Sequence, residues 1–373
     1  MKEIEEKLLQ GIQAQQAGEL RHAEAIYLEI LAQFPEQADA LHLLGTVAQA
    51  LGELELAASL IESAIEQNPQ VALYRHNLGV VYESLGQLEN ALSCYQEALK
   101  LNPNASTSAS QASKILVNWR RGAEAIPLLH SLLEHDAEHS GIPLAELHLY
   151  LAIAYRDQGE HSVALNHLEQ ALILDPALEQ ARWFYHLYLP AVYQDEQELE
   201  SFRSRFIKHL DILIQETNLE TQEQRKIALS ASGLGTNHHL QYQGFNDIEL
   251  QNRYASFVQR IVTVCYPEWS CPVISYARQK RDPIRVGFLS DSMRACSYSR
   301  LSLGWLKYLN TSQIDSDRQF KIFAYHVDPK TDFMTDLYRQ HADTFRHIPT
   351  GLEAVVTQVL QDQLDILVYL EIG

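Results

Sequence analysis

Basic side chains are scarce in this sequence. Its 373 residues carry 29 Lys and Arg against 48 Asp and Glu, a formal net charge of −19. That balance argues against a nucleic-acid partner held through phosphate contacts. Cysteine is scarce too. Cys94, Cys265, Cys271 and Cys296 form no C-x-x-C pair and no repeated spacing, which leaves neither a disulfide framework nor a metal site and fits a reduced compartment. No uninterrupted apolar run has the length of a membrane span, and the opening MKEIEEKLLQ is a charged amphipathic helix start rather than a signal peptide. A cytoplasmic protein without membrane contact is expected. The sequence also has no HExxH helix, no GxxxxGK phosphate loop and no GxSxG elbow. Adjacent His238 and His239 have no third ligand at a helical or hairpin spacing, and His130, His135 and His139 have no productive spacing either. All five read as structural histidines, with no metal bound.

What is present is a period. Pro35, Pro69 and Pro103 are evenly spaced, and Pro176 follows after two further periods plus a short insertion. With each proline closing a repeat, the repeats begin near residues 4, 38, 72, 106 and 145. Position 8 is then small throughout: Gly11, Gly45, Gly79, Ser113 and Ala152. Position 20 is always alanine, at Ala23, Ala57, Ala91, Ala125 and Ala164. Position 24 is large, at Tyr27, Ile61, Tyr95, Leu129 and Leu168. Position 15 holds Gly18, Gly52, Gly86 and Gly159, where glycine can take the left-handed conformation that ends a helix. The fourth repeat is degenerate. Its turn glycine is displaced to Gly122, Ala137 replaces its proline, and an inserted SGIPL at 140–144 precedes the fifth.

The LG-x-x-Y, A-x-x-x-Y and closing-proline positions of residues 72–103 resemble the tetratricopeptide family. Each repeat is a helical hairpin that cannot bury its own apolar face, so neighbours stack into a superhelical solenoid over residues 1–178. First-helix positions 2, 5, 9 and 12 line its concave wall. The candidate groove residues are His42, Gln49, His76, Asn77, Glu83, Glu146 and Arg156. Such a groove takes an extended peptide or a partner helix, and the repeats also leave self-association open. Merely solvated side chains are the plainer explanation of these residues. The same holds for the charge: residues 283–373 have 9 basic and 11 acidic residues, so the rest carry 20 and 37. A solvated helical face accounts for most of that excess, and selection of basic peptides for less.

Beyond Pro176 the period fails. Residues 179–282 read as irregular helical pairs, with a break expected at Pro190, a second at GLGTNHH (233–239), and a Pro- and Trp-containing connector over 267–283. Residues 283–373 change character. Strands are predicted at Ile284–Ser290, Phe320–Val327 and Ile366–Leu370, with helices over 302–310, 332–342 and 353–362. Strands alternating with helices mean a parallel, doubly wound, Rossmann-like sheet. Ligands in such sheets bind beyond the carboxyl ends of the strands. The loop 290–300 is therefore the candidate cleft, with Ser290, Asp291, Ser292, Arg294 and Cys296. Three strands are only part of a domain, so a longer protein is expected.

This order of repeats, irregular helices, RVGFLS, F-x-I-x-AY and DILV resembles the bacterial O-GlcNAc transferase and SPINDLY family of glycosyltransferases. So does the TN-x-x-L-x-YQG-x-ND run at 236–247. The resemblance implies a GT-B enzyme with two facing nucleotide-fold lobes, which moves a sugar from UDP-GlcNAc or a similar nucleotide sugar to Ser or Thr of proteins. The repeats would bind the acceptor. This chain would hold part of the first lobe and none of the donor-binding second, so no nucleotide-sugar cofactor is expected on it alone and it should be inactive as given. Where the family has a histidine after the first strand, Cys296 or Leu301 stands here, and Leu360 stands at the second histidine position. A cysteine base would need a lowered pKa. Of the family's asparagine ladder only Asn77 survives, with Leu43 and Tyr150 at the equivalent positions. The alternative is a non-catalytic interaction scaffold with a degenerate lobe.

Overall fold

The small–large alternation of the repeats translates directly into packing. In the computed structural model, which describes residues 2–135, 141–233, 237–270, 283–309 and 320–370, the first five hairpins follow in order. They are α1 (Lys2–Gln16) with α2 (Leu20–Gln33), α3 (Ala38–Ala50) with α4 (Leu54–Gln67), and α5 (Ala72–Ser84) with α6 (Leu88–Leu101). The fourth pairs α7 (Ser106–Asn118) with α8 (Gly122–His135), and the fifth α9 (Leu144–Asp157) with α10 (His161–Leu174). A Cβ added to Gly79 would lie 2.6 Å from the Tyr95 ring, and one on Gly45 2.6 Å from Ile61. Position 8 is thus small because position 24 of the same hairpin fills the space. The alanines at position 20 are wholly buried between the helices. At the turns, Gly18, Gly52, Gly86 and Gly159 have φ between 72° and 83°.

The fourth repeat solves the turn differently. Arg120, at position 15, takes φ 57° itself, so the left-handed residue is not displaced at all. Gly122 serves another purpose, because a Cβ there would come within 2.4 Å of the Ala154 carbonyl of the next repeat. Ala137, His139 and Ser140 lie outside the described residues.

One more helix keeps the phase. α11 (Glu179–His186) starts one full period after the fifth repeat's first position at Ala145, and so occupies the place of a sixth first helix. It is short, and the chain leaves it at Leu187, just ahead of Pro190. α12 (Glu196–Glu216), α13 (Gln222–Ser232) and α14 (Ile248–Cys265) follow, with short 3-10 turns at Asn237–Gln243 and Pro267–Trp269. Within the expected break after α13, Leu234, Gly235 and Thr236 lie outside the described residues. The Asp195 carboxylate accepts from the Glu198 amide to start α12, and Thr221 with Gln224 forms a capping box for α13. Ala181 of α11 packs with Leu149 and Leu168 of the fifth repeat, whereas Trp183 packs with Leu213, Ala228 and Ile261 and stacks on Phe257 at 5.3 Å. α11 therefore joins the solenoid core to the helices behind it, and Met1–Pro267 forms one compact unit.

Glu268–Gly373 forms the second unit. Four parallel strands, β1 (Ile284–Ser290), β2 (Phe320–His326), β3 (Thr344–His347) and β4 (Ile366–Tyr369), stand in the order β3-β2-β1-β4. Gly287 of β1 is opposite Phe323 on one side and Leu367 on the other. Val286, Phe288, Ile322 and Ala324 form the core with Leu306 of α15 (Ser297–Leu309) and with Met334 and Tyr338 of α16 (Phe333–His341). β3 is a strand that hydrophobicity does not reveal. Its TFRH is mostly polar, and it is held partly by Arg346, whose guanidinium donates to Asp362 at the end of α17 (Leu352–Gln361) at 2.8 and 3.2 Å. Tyr325 of β2 donates to the same carboxylate at 2.8 Å. α15 begins at Ser297, so the loop after β1 is shorter than the sequence implies. The connector from Cys271 to Asp282 and the predicted helix end at Asn310 lie outside the described residues.

Candidate functional site

The repeat phase brings a set of side chains together at the end of the solenoid. Positions 5, 9 and 12 of the fifth repeat are Leu149, Ile153 and Arg156, and positions 2, 5 and 9 of the in-phase half-repeat that α11 opens are Gln180, Trp183 and Leu187. All six line one cleft of about 960 Å³, a volume typical of ligand sites. The segment after α11 closes its other side with Tyr188, Leu189, Val192 and Tyr193, and Phe184 and His239 complete the wall. The chemistry is mixed. Aromatic rings dominate, but Arg156 donates to Asp157 Oδ1 from Nε and Nη2 at 3.3 and 3.1 Å, and its guanidinium lies 4.9 Å from the centre of the Phe184 ring. The other oxygen, Asp157 Oδ2, is buried without a hydrogen-bond partner among the described residues. A buried acceptor in that condition is costly, and an N–H donor on a bound ligand would relieve it. Burial pushes the Tyr188 hydroxyl well above the ordinary tyrosine range, and that hydroxyl sits 2.9 Å from His161 Nδ1.

The other groove residues are mostly occupied within the solenoid. His42 Nε2 meets Asn77 Nδ2 at 2.7 Å, so the asparagine side chain binds the preceding repeat, and the His42 ring stacks on Tyr74 at 4.5 Å. The ring nitrogen accepts from the amide and is neutral. Burial lowers its pKa to about 4. His76 Nδ1 meets Ser108 Oγ at 3.0 Å, and Glu83 accepts from the Tyr95 hydroxyl at 2.8 Å. Gln49 and Glu146 are not fully buried, and neither lines the cleft. Of the seven residues, Arg156 alone borders it. Asp157, His161, Trp183, Phe184, Tyr188 and Tyr193 carry no sequence signature of a site. Counting one more period past Ala145 is the signal that finds α11. A second, more open hollow of about 800 Å³ on α14 includes Arg253 and Arg260, whose guanidinium groups already bind Asp211 and the Ile214 carbonyl.

At the carboxyl ends of β1, β2 and β3 the polar groups converge as well. Ser290 is buried at the end of β1 and its Oγ accepts from the Ser292 amide at 2.8 Å. Ser292 donates to Asp291 at 2.6 Å, and Arg294 pairs with Asp328 at 2.9 Å. Asp332 holds the loop by accepting from the Ala295 amide while capping α16. Desolvation opposes its ionisation, but the bonds from Ala295, Thr335 and Met334 outweigh it and keep the carboxyl below its usual range. The Cys296 thiol lies 3.4 Å from the Ser292 carbonyl, to which it donates, and 3.5 Å from Ser299 Oγ. His326 and His347, at the ends of β2 and β3, stack at 5.2 Å. Each donates from Nε2 to a carbonyl, of Lys330 and Asp328 respectively, at 2.8 Å. The buried Nδ1 of His326 has no hydrogen-bond partner among the described residues. No sequence signal beyond their place at strand ends marks these two histidines. Among the described residues, no group of three or more His, Cys, Asp or Glu is arranged to hold a metal ion. The described thiols, Cys94, Cys265 and Cys296, form no disulfide with one another, and no described helix is long and apolar enough to cross a membrane.

Comparison with known proteins matches residues 8–72, 72–105 and 145–178 to tetratricopeptide-repeat family models. Among solved structures, the chain is similar to YrrB, a TPR protein with an unusual peptide-binding site. The identity is 23% over 47% of this chain and 88% of that one, with a TM-score of 0.42. It is similar to the C-terminal part of a TPR repeat-containing protein from Cytophaga hutchinsonii, at 13% identity over 70% and 94% and a TM-score of 0.47. It is also similar to a mutant of Thermobaculum terrenum O-GlcNAc transferase, at 18% identity and a TM-score of 0.30. That match covers 98% of this chain but 45% of the transferase, so the chain spans less than half of that protein. No curated protein matches the sequence.

Proposed function

We propose that the tetratricopeptide repeats of this chain bind an extended segment of a partner protein in the cleft between α9 and α11. The observation that carries this is the phase: groove positions 5, 9 and 12 of the fifth repeat and 2, 5 and 9 of the half-repeat that α11 opens line one cavity of about 960 Å³. Its aromatic wall would take an apolar side chain, and Asp157 Oδ2 would accept a backbone N–H of the segment. Peptides displayed on phage and selected on the whole chain test it. Val192 is 78% exposed at the rim, so Val192→Glu should leave the fold intact and weaken the selected peptides about tenfold or more. Phe184→Ala should weaken them further. Peptides that bind both variants as they bind the parent would overturn the assignment.

A second reading rests on the strand order. In the β3-β2-β1-β4 sheet the order of strand addition switches sides between β1 and β4, the kind of position where doubly wound sheets take nucleotide ligands. With the sequence resemblance of RVGFLS and the strands after it, this favours the first lobe of a GT-B protein O-glycosyltransferase, with Ser290, Asp291, Ser292, Arg294 and Cys296 on the cleft rim. The longest form of the protein made in the cell, incubated with UDP-GlcNAc and candidate acceptors, should then hydrolyse or transfer the sugar. A form that binds peptides but neither binds nor consumes nucleotide sugars leaves the scaffold reading alone standing.

A further inference from the structure

Helix α15 presents an apolar stripe to solvent. Tyr298, Leu301, Trp305 and Tyr308 are 56%, 77%, 58% and 59% exposed, while Ser299, Ser302 and Leu306 face the sheet core. Their alternating spacings of three and four put all four on one side of the helix. That is the a/d seam with which one helix receives another, rather than the broader face that packs on a sheet. Large apolar side chains gathered this way lower solubility unless they meet something.

Gly304 lies on the exposed side, beside the seam. Glycine in a helix interior costs about 1 kcal/mol relative to alanine. Gly45 and Gly79 offset that cost by admitting a neighbouring side chain, but a Cβ on Gly304 would meet nothing within 4 Å. Nothing in the described fold requires this glycine. A second helix crossing α15 closely would, because the missing side chain lets the two backbones approach. The charges narrow the partner. Residues 297–309 contain Arg300 and Lys307 and no carboxylate, and both cations are on the exposed half of the helix beside the stripe. Two copies of this face would bring like charges together, whereas a helix edged with Asp or Glu would pair with them.

We propose that the Tyr298–Leu301–Trp305–Tyr308 face of α15 is a docking surface for an amphipathic partner helix whose apolar seam is bordered by carboxylates. It is separate from the peptide cleft of the repeats and does not depend on it. The probe is a fluorescein-labelled peptide of about 18 residues, long enough to sustain a helix, with Leu at its a and d positions and Glu at the flanking ones. A twin carries Lys in place of Glu. Fluorescence anisotropy on the full chain should show saturable binding of the acidic peptide, weakening with salt. The basic twin should bind about tenfold more weakly. Leu301→Arg, at a position 77% exposed, should abolish binding without lowering the melting temperature, and Gly304→Leu should weaken it by obstructing the crossing. Equal binding of the two peptides would overturn the proposal. So would binding that survives Leu301→Arg but is lost in Val192→Glu, which would place the probe in the repeat cleft. A dimer in sedimentation that Leu301→Arg dissociates would replace the acidic partner by a second copy of this chain.

Discussion

The glycines at position 8 show how one missing side chain decides a repeat. At Gly79 the neighbouring ring of Tyr95 is 2.6 Å from where a Cβ would stand, and Tyr95 is wholly buried with its hydroxyl committed to Glu83. The ring has no free direction in which to yield. Gly79→Ala should therefore destabilise the solenoid by about 1–3 kcal/mol, as overpacking does, measured by urea unfolding followed by far-UV circular dichroism. An alanine variant as stable as the parent would show that the hairpin has more slack than this geometry allows. The turn glycines obey a different rule, since Gly86 at φ 72° has open space around it and is constrained by its backbone alone. Both kinds were legible, because a repeated glycine declares a local requirement. Asp157 was not. Its value to the cleft depends on one oxygen that has no partner among the described residues, which no spacing records.

Between elements, histidines staple neighbouring helices, once within the fifth hairpin and once behind it. His148 of α9 and His167 of α10 meet Nδ1 to Nδ1 at 2.9 Å, and His186 of α11 and His209 of α12 at 3.0 Å. In each pair one nitrogen must carry the proton and the other accept it, so at most one ring of a pair can be charged in the bonded form, and burial disfavours even that charge. Burial, together with the neighbouring His148 and His130, lowers His167 to about 4. Burial also lowers His186 to about 4, aided by His209, Arg182 and Arg205. His209 falls to about 4 through burial, Arg205 and Lys208, with Glu169 opposing. An unfolded histidine titrates near 6.5. Between about pH 6.5 and 4 the unfolded chain therefore binds protons that the folded chain refuses, and stability drops as pH falls through that window. The melting temperature at pH 5 should lie roughly 5–10 °C below that at pH 7, within the usual conversion of free energy to temperature. The slope should flatten in the His186→Asn, His209→Asn double variant. Melting curves that coincide at pH 7 and pH 5 would contradict the neutral pairs. No motif announces these pairs, because their members stand in different helices and meet only when the helices pack.

As a whole, the molecule consists of two compact units, Met1–Pro267 and Glu268–Gly373. Each has its own hydrophobic core, and separate cores melt separately. Calorimetry should resolve two transitions at pH 7. A single peak whose calorimetric and van't Hoff enthalpies agree would mean that the units unfold as one. The five full repeats were readable because every repeat touches only its neighbours, so the pattern that specifies their packing recurs within a single period, whereas the half-repeat at α11 was passed over. The first, second and last strands were readable for a similar reason, as short apolar runs. Strand β3 was hidden because TFRH owes its place to pairing with β2 and to the Arg346–Asp362 bonds, neither of which leaves an apolar run. Side-chain size and period were enough to specify the five hairpins, the four glycine turns and the parallel βα alternation, since all of these are local consequences of the chain's own pattern, whereas the turn of the fourth repeat, at Arg120, carries no glycine to mark it. Long-range packing was needed for the rest. It gave the in-phase α11 and the fifth repeat one shared cleft, and left a stripe on α15 facing solvent. Those outcomes depend on which distant surfaces find one another and which do not, and a linear pattern carries no record of either.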